Sequence, residues 1–204
     1  MEIFSLKQIE TPRLILRAVQ LGDEIELNKA IKNSLELLQK WQPWANNSSI
    51  EATRDFVQQG VLAWESGNIV DFPMIVIHKA SKKIIGASGY NDRSDIGKGL
   101  YEIGYWCDVD YQGQGLITEC ANALTRYAFE ALSAAKVVIS MQVENLKSIA
   151  VAERLHFVNE GKIDRDLLDC LSDKPAQNYI YSVNTTKNLP ILEIFWTHKG
   201  GEYV

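Results

Sequence analysis

The clearest hydrophobic pattern in the chain runs from Leu100 to Leu132, where one period gives way to another. Leu100-Tyr-Glu-Ile-Gly-Tyr-Trp-Cys-Asp-Val109 is rich in aromatic and β-branched residues and predicts a strand. Ile117, Ala121, Leu124, Ala128 and Leu132 then recur at steps of four, three, four and four, which predicts a helix. Between them lies Asp110-Tyr-Gln-Gly-Gln-Gly-Leu116, whose glycines one residue apart let main-chain N–H groups converge on a common hollow. A glycine loop at a helix N-terminus is an anion site in outline, because the first amides have no intrahelical partner and the helix dipole adds positive charge.

The same reading orders the rest of the chain. Arg13–Arg17 predicts a first strand after Pro12. Asp23 with Glu26, and Ser48 with Glu51, have capping-box spacing ahead of two helices, the first running to about Lys40 with an interruption. Asp71–His78 and Ile84–Tyr90 predict an antiparallel hairpin across Lys79–Lys83, followed by a polar, mobile loop at Asn91–Gly99. Lys136–Val143 predicts a strand, and Asn145 can cap a helix bearing Ile149, Ala152 and Leu155. Lys162–Asn178 reads as charged and irregular, Tyr179–Val183 as a strand and Ile191–Trp196 as a last one. The order is that of one α/β domain over residues 1–204 with a mixed sheet, in which the strands flanking the central helix must be parallel.

Composition narrows the function classes. The formal charge is −5 with scattered basic residues, which argues against direct nucleic-acid binding. Cys107, Cys120 and Cys170 show neither disulfide nor zinc spacing, and no apolar run approaches a membrane span, so a cytoplasmic protein without metal or membrane attachment is expected.

Three anion-loop chemistries compete for the central loop. A Walker-type loop needs Gly-Lys-Ser/Thr, and the chain offers Gly115-Leu-Ile-Thr118 without the lysine. A dinucleotide fingerprint needs a third glycine where Thr118 stands. The third is carried by several short motifs together. Gln112-Gly-Gln-Gly115-Leu-Ile117 follows Gln/Arg-x-x-Gly-x-Gly/Ala except at Ile117. Glu10-Thr-Pro-Arg-Leu-Ile-Leu-Arg17, Glu102-Ile-Gly-Tyr-Trp106, Asn145-x-x-Ser148 and Leu155-His-Phe157 follow in order, with His156 in place of a glycine. By these motifs residues 10–183 resemble the GNAT superfamily of acetyl-CoA-dependent N-acetyltransferases, within it the RimJ/RimL-type branch that acetylates ribosomal-protein N-termini.

The resemblance implies a GNAT fold, a mostly antiparallel sheet flanked by helices with a parallel, splayed strand pair at the acyl-CoA site. It implies acetyl-CoA as co-substrate, held by the loop residues Gln112, Gly113, Gln114, Gly115, Leu116, Ile117 and Thr118, by Asn145 and Ser148, and at the thioester carbonyl by amides near Cys107, Asp108 and Val109. Ser148 would protonate the leaving thiolate; as a residue it also reads as an ordinary first-turn position behind the Asn145 cap. Direct transfer also needs a base. Glu102 is the candidate, sharing a strand face with Gly104 and Trp106, while the alternative is a solvated carboxylate at a strand start. The acceptor is a protein N-terminus or a small amine, and homodimers are common in the branch. A non-catalytic acyl-CoA sensor is the reading from another class. Trp41, Trp44 and Trp64 are packing residues or the wall of a substrate groove.

Overall fold

The computed structural model describes residues 5–66, 71–168 and 175–199. Its strands are β1 (Leu6–Glu10), β2 (Leu14–Ala18), β3 (Phe72–His78), β4 (Lys83–Tyr90), β5 (Leu100–Cys107), β6 (Lys136–Gln142), β7 (Val158–Leu168), β8 (Pro175–Val183) and β9 (Phe195–His198). The helices are α1 (Glu24–Asn33), α2 (Leu35–Gln39), α3 (Ile50–Ser66), α4 (Leu116–Glu130) and α5 (Leu146–Arg154). Among the described residues the strands form one sheet in the order β7-β8-β6-β5-β4-β3-β2-β1-β9. Every neighbouring pair is antiparallel except β5 and β6.

The fold-directing pattern is plainest in β3 and β4, where nearly every position is buried. A strand buried at alternate and intervening positions needs both sheet faces covered. Helices α1 and α3 pack on β2–β4, α4 on β2 and β5, and α5 on β6. Among the described residues no helix is long and apolar enough to cross a membrane.

Several predicted elements are changed in detail. The strand expected first is the second: Leu6–Glu10 precedes it and pairs with both β2 and β9. The Asp23 carboxylate makes no cap, because it forms a two-pronged ion pair with Arg17 at 2.7 Å and accepts from the Gln20 amide. At α3 the cap is Ser49 rather than Ser48, its hydroxyl accepting from the Ala52 amide at 3.1 Å. Within the stretch expected to be irregular from Lys162, the described residues belong to β7, at the edge of the sheet, and to its antiparallel partner β8, and charged residues suit a solvated edge; residues 169–174 lie outside the described residues. The last strand begins at Phe195, in register with Glu10. The loop 91–99 is tied down by a bridge between Asp95 and Leu100 and by the Ser94 hydroxyl, which accepts from the Glu102 amide. Cys170 lies outside the described residues.

Candidate active site

β5 and β6 run parallel and then part. Their pairing covers only Leu100↔Lys136, Tyr101↔Val137 and Glu102↔Val138, although β5 continues to Cys107 and β6 to Gln142. Hydrogen-bond parity says which groups the opening receives. The Asn91 amide donates to the Glu102 carbonyl and the Asp108 amide to the Ile85 carbonyl, so even positions of β5 direct their main-chain groups to β4. Odd positions direct theirs the other way, and beyond the paired segment the Tyr105 and Cys107 amides face the opening. The Cys107 carbonyl accepts from the Gln112 side chain at 3.1 Å.

That parity divides the residues expected at a thioester carbonyl. Cys107 presents its amide to the opening, whereas Asp108 spends its amide on Ile85 and Val109 donates to the Ser34 hydroxyl at 2.9 Å. Ser34 reaches it because the first helix breaks there, between α1 and α2. The Asn33 side chain adds bonds to Asp108 and Asp110, so the end of α1 fixes the turn after β5. Tyr105 was not singled out for its amide; the alternation of β5, combined with a known end of the β6 pairing, is the signal that would have found it.

Beyond the turn, Gly113 and Gly115 have φ of +74° and +75°, the left-handed region that favours glycine. Gly115 is the N-cap of α4 and supplies no side-chain cap. The first intrahelical bond is from the Glu119 amide to the Gly115 carbonyl, which leaves the amides of Leu116, Ile117 and Thr118 as the helix-end donors. An anion with several oxygens fits such a set. Leu116 is buried, while Ile117 is partly buried against the core and lines the cleft. The loop is braced from a distant element: Arg13 donates to the Gln114 carbonyl at 2.9 Å and pairs with Glu119 at 2.6 Å, and Thr11 donates to the same carboxylate at 2.6 Å. Lys147 donates to Gln112 at 2.8 Å.

Asn145 caps α5, its side chain accepting from the Ser148 amide at 3.1 Å. The Ser148 hydroxyl lies 2.8 Å from the Tyr105 hydroxyl. Burial pushes the Tyr105 hydroxyl well up, so at neutral pH it is a phenol able to donate. The Cys107 thiol is pushed up to about 12 by burial and then by the Asp108 charge, which leaves it a poor nucleophile.

Glu102 is buried, with one carboxylate oxygen accepting from Arg93 at 2.6 Å, Ser140 at 2.7 Å and Asn91 at 3.3 Å. Asn91, Arg93 and Ser140 line the cleft and Glu102 stands behind them. Those three escaped the sequence reading. Ser140 had a usable signal, being two residues beyond Val138 on the strand that must run parallel to β5. Of the tryptophans, Trp64 is buried and donates to the Pro73 carbonyl, whereas Trp41 and Trp44 line the cleft. Trp44 meets Trp106 at 6.0 Å between ring centroids. The cleft measures about 1570 Å³, above the roughly 300–1,000 Å³ of a single small-ligand pocket, so it has room for two reactants.

A splayed parallel pair, main-chain donors in the gap and a bare helix N-terminus at its end define an acyltransferase that holds a long thioester beside an amine. The chain belongs to the acetyltransferase (GNAT) domain family, whose model matches residues 13–158. It is 30% identical over 155 residues to the Escherichia coli ribosomal-protein-serine acetyltransferase, covering 70% of this chain and 84% of the relative. The match to the Bacillus subtilis protein YdaF is 48% identical over 61 residues and spans only 30% of this chain and 33% of that one. Among solved structures the ribosomal alpha-N-protein acetyltransferase RimL in complex with coenzyme A superposes with a TM-score of 0.77 at 26% identity, over 88% of this chain and 99% of that chain. The chemistry of this family is acetyl transfer to an amine.

Proposed function

We propose that the protein transfers the acetyl group of acetyl-CoA to the N-terminal α-amine of a protein, a ribosomal protein as for its Escherichia coli relative and for RimL, and that it does so in the cytoplasm. The observation that carries the reading is the β5–β6 opening, with the donors of α4 at its end and a tryptophan-lined cleft beside it. Acetyl-CoA supplies an activated acyl group as a thioester. The residues present suit it: Gly113 to Thr118 offer amides for a pyrophosphate, with Gln112 and Gln114 bracing the turn, and Asn145 and Ser148 stand at the start of α5 for the pantetheine arm and sulfur. The amides of Tyr105 and Cys107, which face the opening, polarise the carbonyl in this reading.

Glu102 serves as base through Ser140. The Ser140 hydroxyl passes its proton to the Glu102 carboxylate and takes one from the acceptor ammonium, so the proton ends on the buried carboxylate, which it neutralises, and the neutral amine is freed to attack. Ser148, hydrogen-bonded to the Tyr105 phenol, gives a proton to the departing sulfur, and a proton from solvent then restores the serine–phenol pair to its neutral form. A panel of amines assayed for free CoA release tests the function. Ser- and Ala-initiated peptides are expected to be turned over well above small primary amines; the reverse preference would move the acceptor to the small-molecule class, and acetyl-CoA binding without turnover of any amine would make the protein a sensor.

A further inference from the structure

Gly104 occupies a position where the fold asks for no glycine. A glycine inside a strand costs stability relative to a residue with a side chain, so each one calls for a reason. Gly89, its register partner on β4, has one: its φ is +143°, and a Cβ there would meet the Phe72 carbonyl oxygen at 2.0 Å. Gly104 is not among the residues of positive φ, and a Cβ built on it meets nothing within 4 Å except the Asn91 side-chain nitrogen at 3.8 Å, an ordinary contact. The space over it opens on the cleft. Gly104 lines that cleft between Glu102 and Trp106 on one strand face, with Arg93 at one side and the Trp44–Trp106 pair at the other.

We infer that Gly104 determines acceptor specificity, the open space over it receiving the side chain of the acceptor's first residue. This rests on the acetyl-transfer reading above. Of the two carbonyl donors in that reading, the amide of Tyr105 is one residue along, so an amine positioned for attack on a carbonyl held there lies close to Gly104. The first side chain branches from the carbon next to that amine and must find room at the same place. A Cβ on Gly104 would take that room, and the tryptophan pair would prevent a sideways escape.

The test uses the full chain with Gly104→Ala and Gly104→Val, and two peptides that differ only in starting with Ser or Gly. The melting temperature and the acetyl-CoA Kd should be unchanged or, for the melting temperature, raised. The ratio of kcat/KM for the Ser-initiated over the Gly-initiated peptide should fall about tenfold with Ala, as for a methyl group in a fitted pocket, and further with Val. An unchanged ratio in both variants overturns the inference, as does a lowered melting temperature for Gly104→Ala, which would make the glycine structural, or a weakened acetyl-CoA Kd that accounts for the whole loss. A wild-type protein that acetylates neither peptide fails the N-terminal acetylation reading itself, and the inference falls with it.

Discussion

At the scale of single residues, the site depends on where side chains stand relative to the cleft surface. That Glu102 is a carboxylate on β5, on the face it shares with Gly104 and Trp106, was legible. That it stands one layer back, behind Ser140, Asn91 and Arg93, was not legible, because those partners come from two other stretches of chain, the loop before β5 and strand β6. Glu102→Gln should lower kcat by about 10²–10⁴-fold, the usual worth of a positioned base, with the acetyl-CoA Kd unchanged in calorimetry. Ser140→Ala should lower kcat in the same direction; a wild-type rate in that variant would mean that Glu102 does not act through it. His156 shows a departure that the fold tolerates at a cost. It is the residue after the C-cap of α5, with φ of +57°, and the bonds from its own amide to Glu153 and from the Phe157 amide to Ala152 make a Schellman closure. A non-glycine residue there is strained by about 1–2 kcal/mol, partly offset in a glycine variant by backbone entropy. His156→Gly should therefore raise stability by about 1 kcal/mol in a denaturant melt, without change in acetyl-CoA affinity.

At the scale of elements, strong periodicity was enough to recover β3, β4, β5, α4 and α5, because burial and packing reinforce what each segment prefers alone. The capping boxes failed where a tertiary partner competed: Asp23 is taken by Arg17, a contact no local spacing reveals. Strand β7 and the first half of β8 were missed, although Tyr179–Val183 was read as a strand, because an edge with solvated faces carries charge in place of alternating apolar residues. The glycine loop stands at the N-terminus of α4 as its local pattern predicts, yet its brace was invisible, since Arg13 and Thr11 reach Glu119 from more than a hundred residues away in sequence. Arg13→Ala leaves Glu119 with only neutral donors and frees the Gln114 carbonyl. Because the Arg13 side chain is half-exposed, the loss of stability should be only about 1 kcal/mol, while acetyl-CoA affinity falls several-fold as the loop loses its fixed shape. A thermal melt and a calorimetric titration of the same variant separate the two effects.

At the scale of the whole molecule, function follows from one defect in an otherwise continuous sheet. β5 and β6 must be parallel, because a helix connects them, and they part just where β5 carries its aromatic and glycine positions. The gap joins two surfaces: on one, α4 and α5 with their main-chain and hydroxyl donors, and on the other, Gly104, Trp106, Trp44 and the layer in front of Glu102. In the proposed function, a co-substrate entering by the helices and an acceptor entering by the tryptophans would meet at the odd-numbered amides of β5. The most direct measurement is the mass spectrum of a Ser-initiated peptide incubated with the protein and acetyl-CoA, with an N-terminally blocked copy beside it. One acetyl group on the α-amine of the free peptide, and none on the blocked one, is the predicted result. An unmodified free peptide, or equal acetylation of both at a side chain, would contradict it.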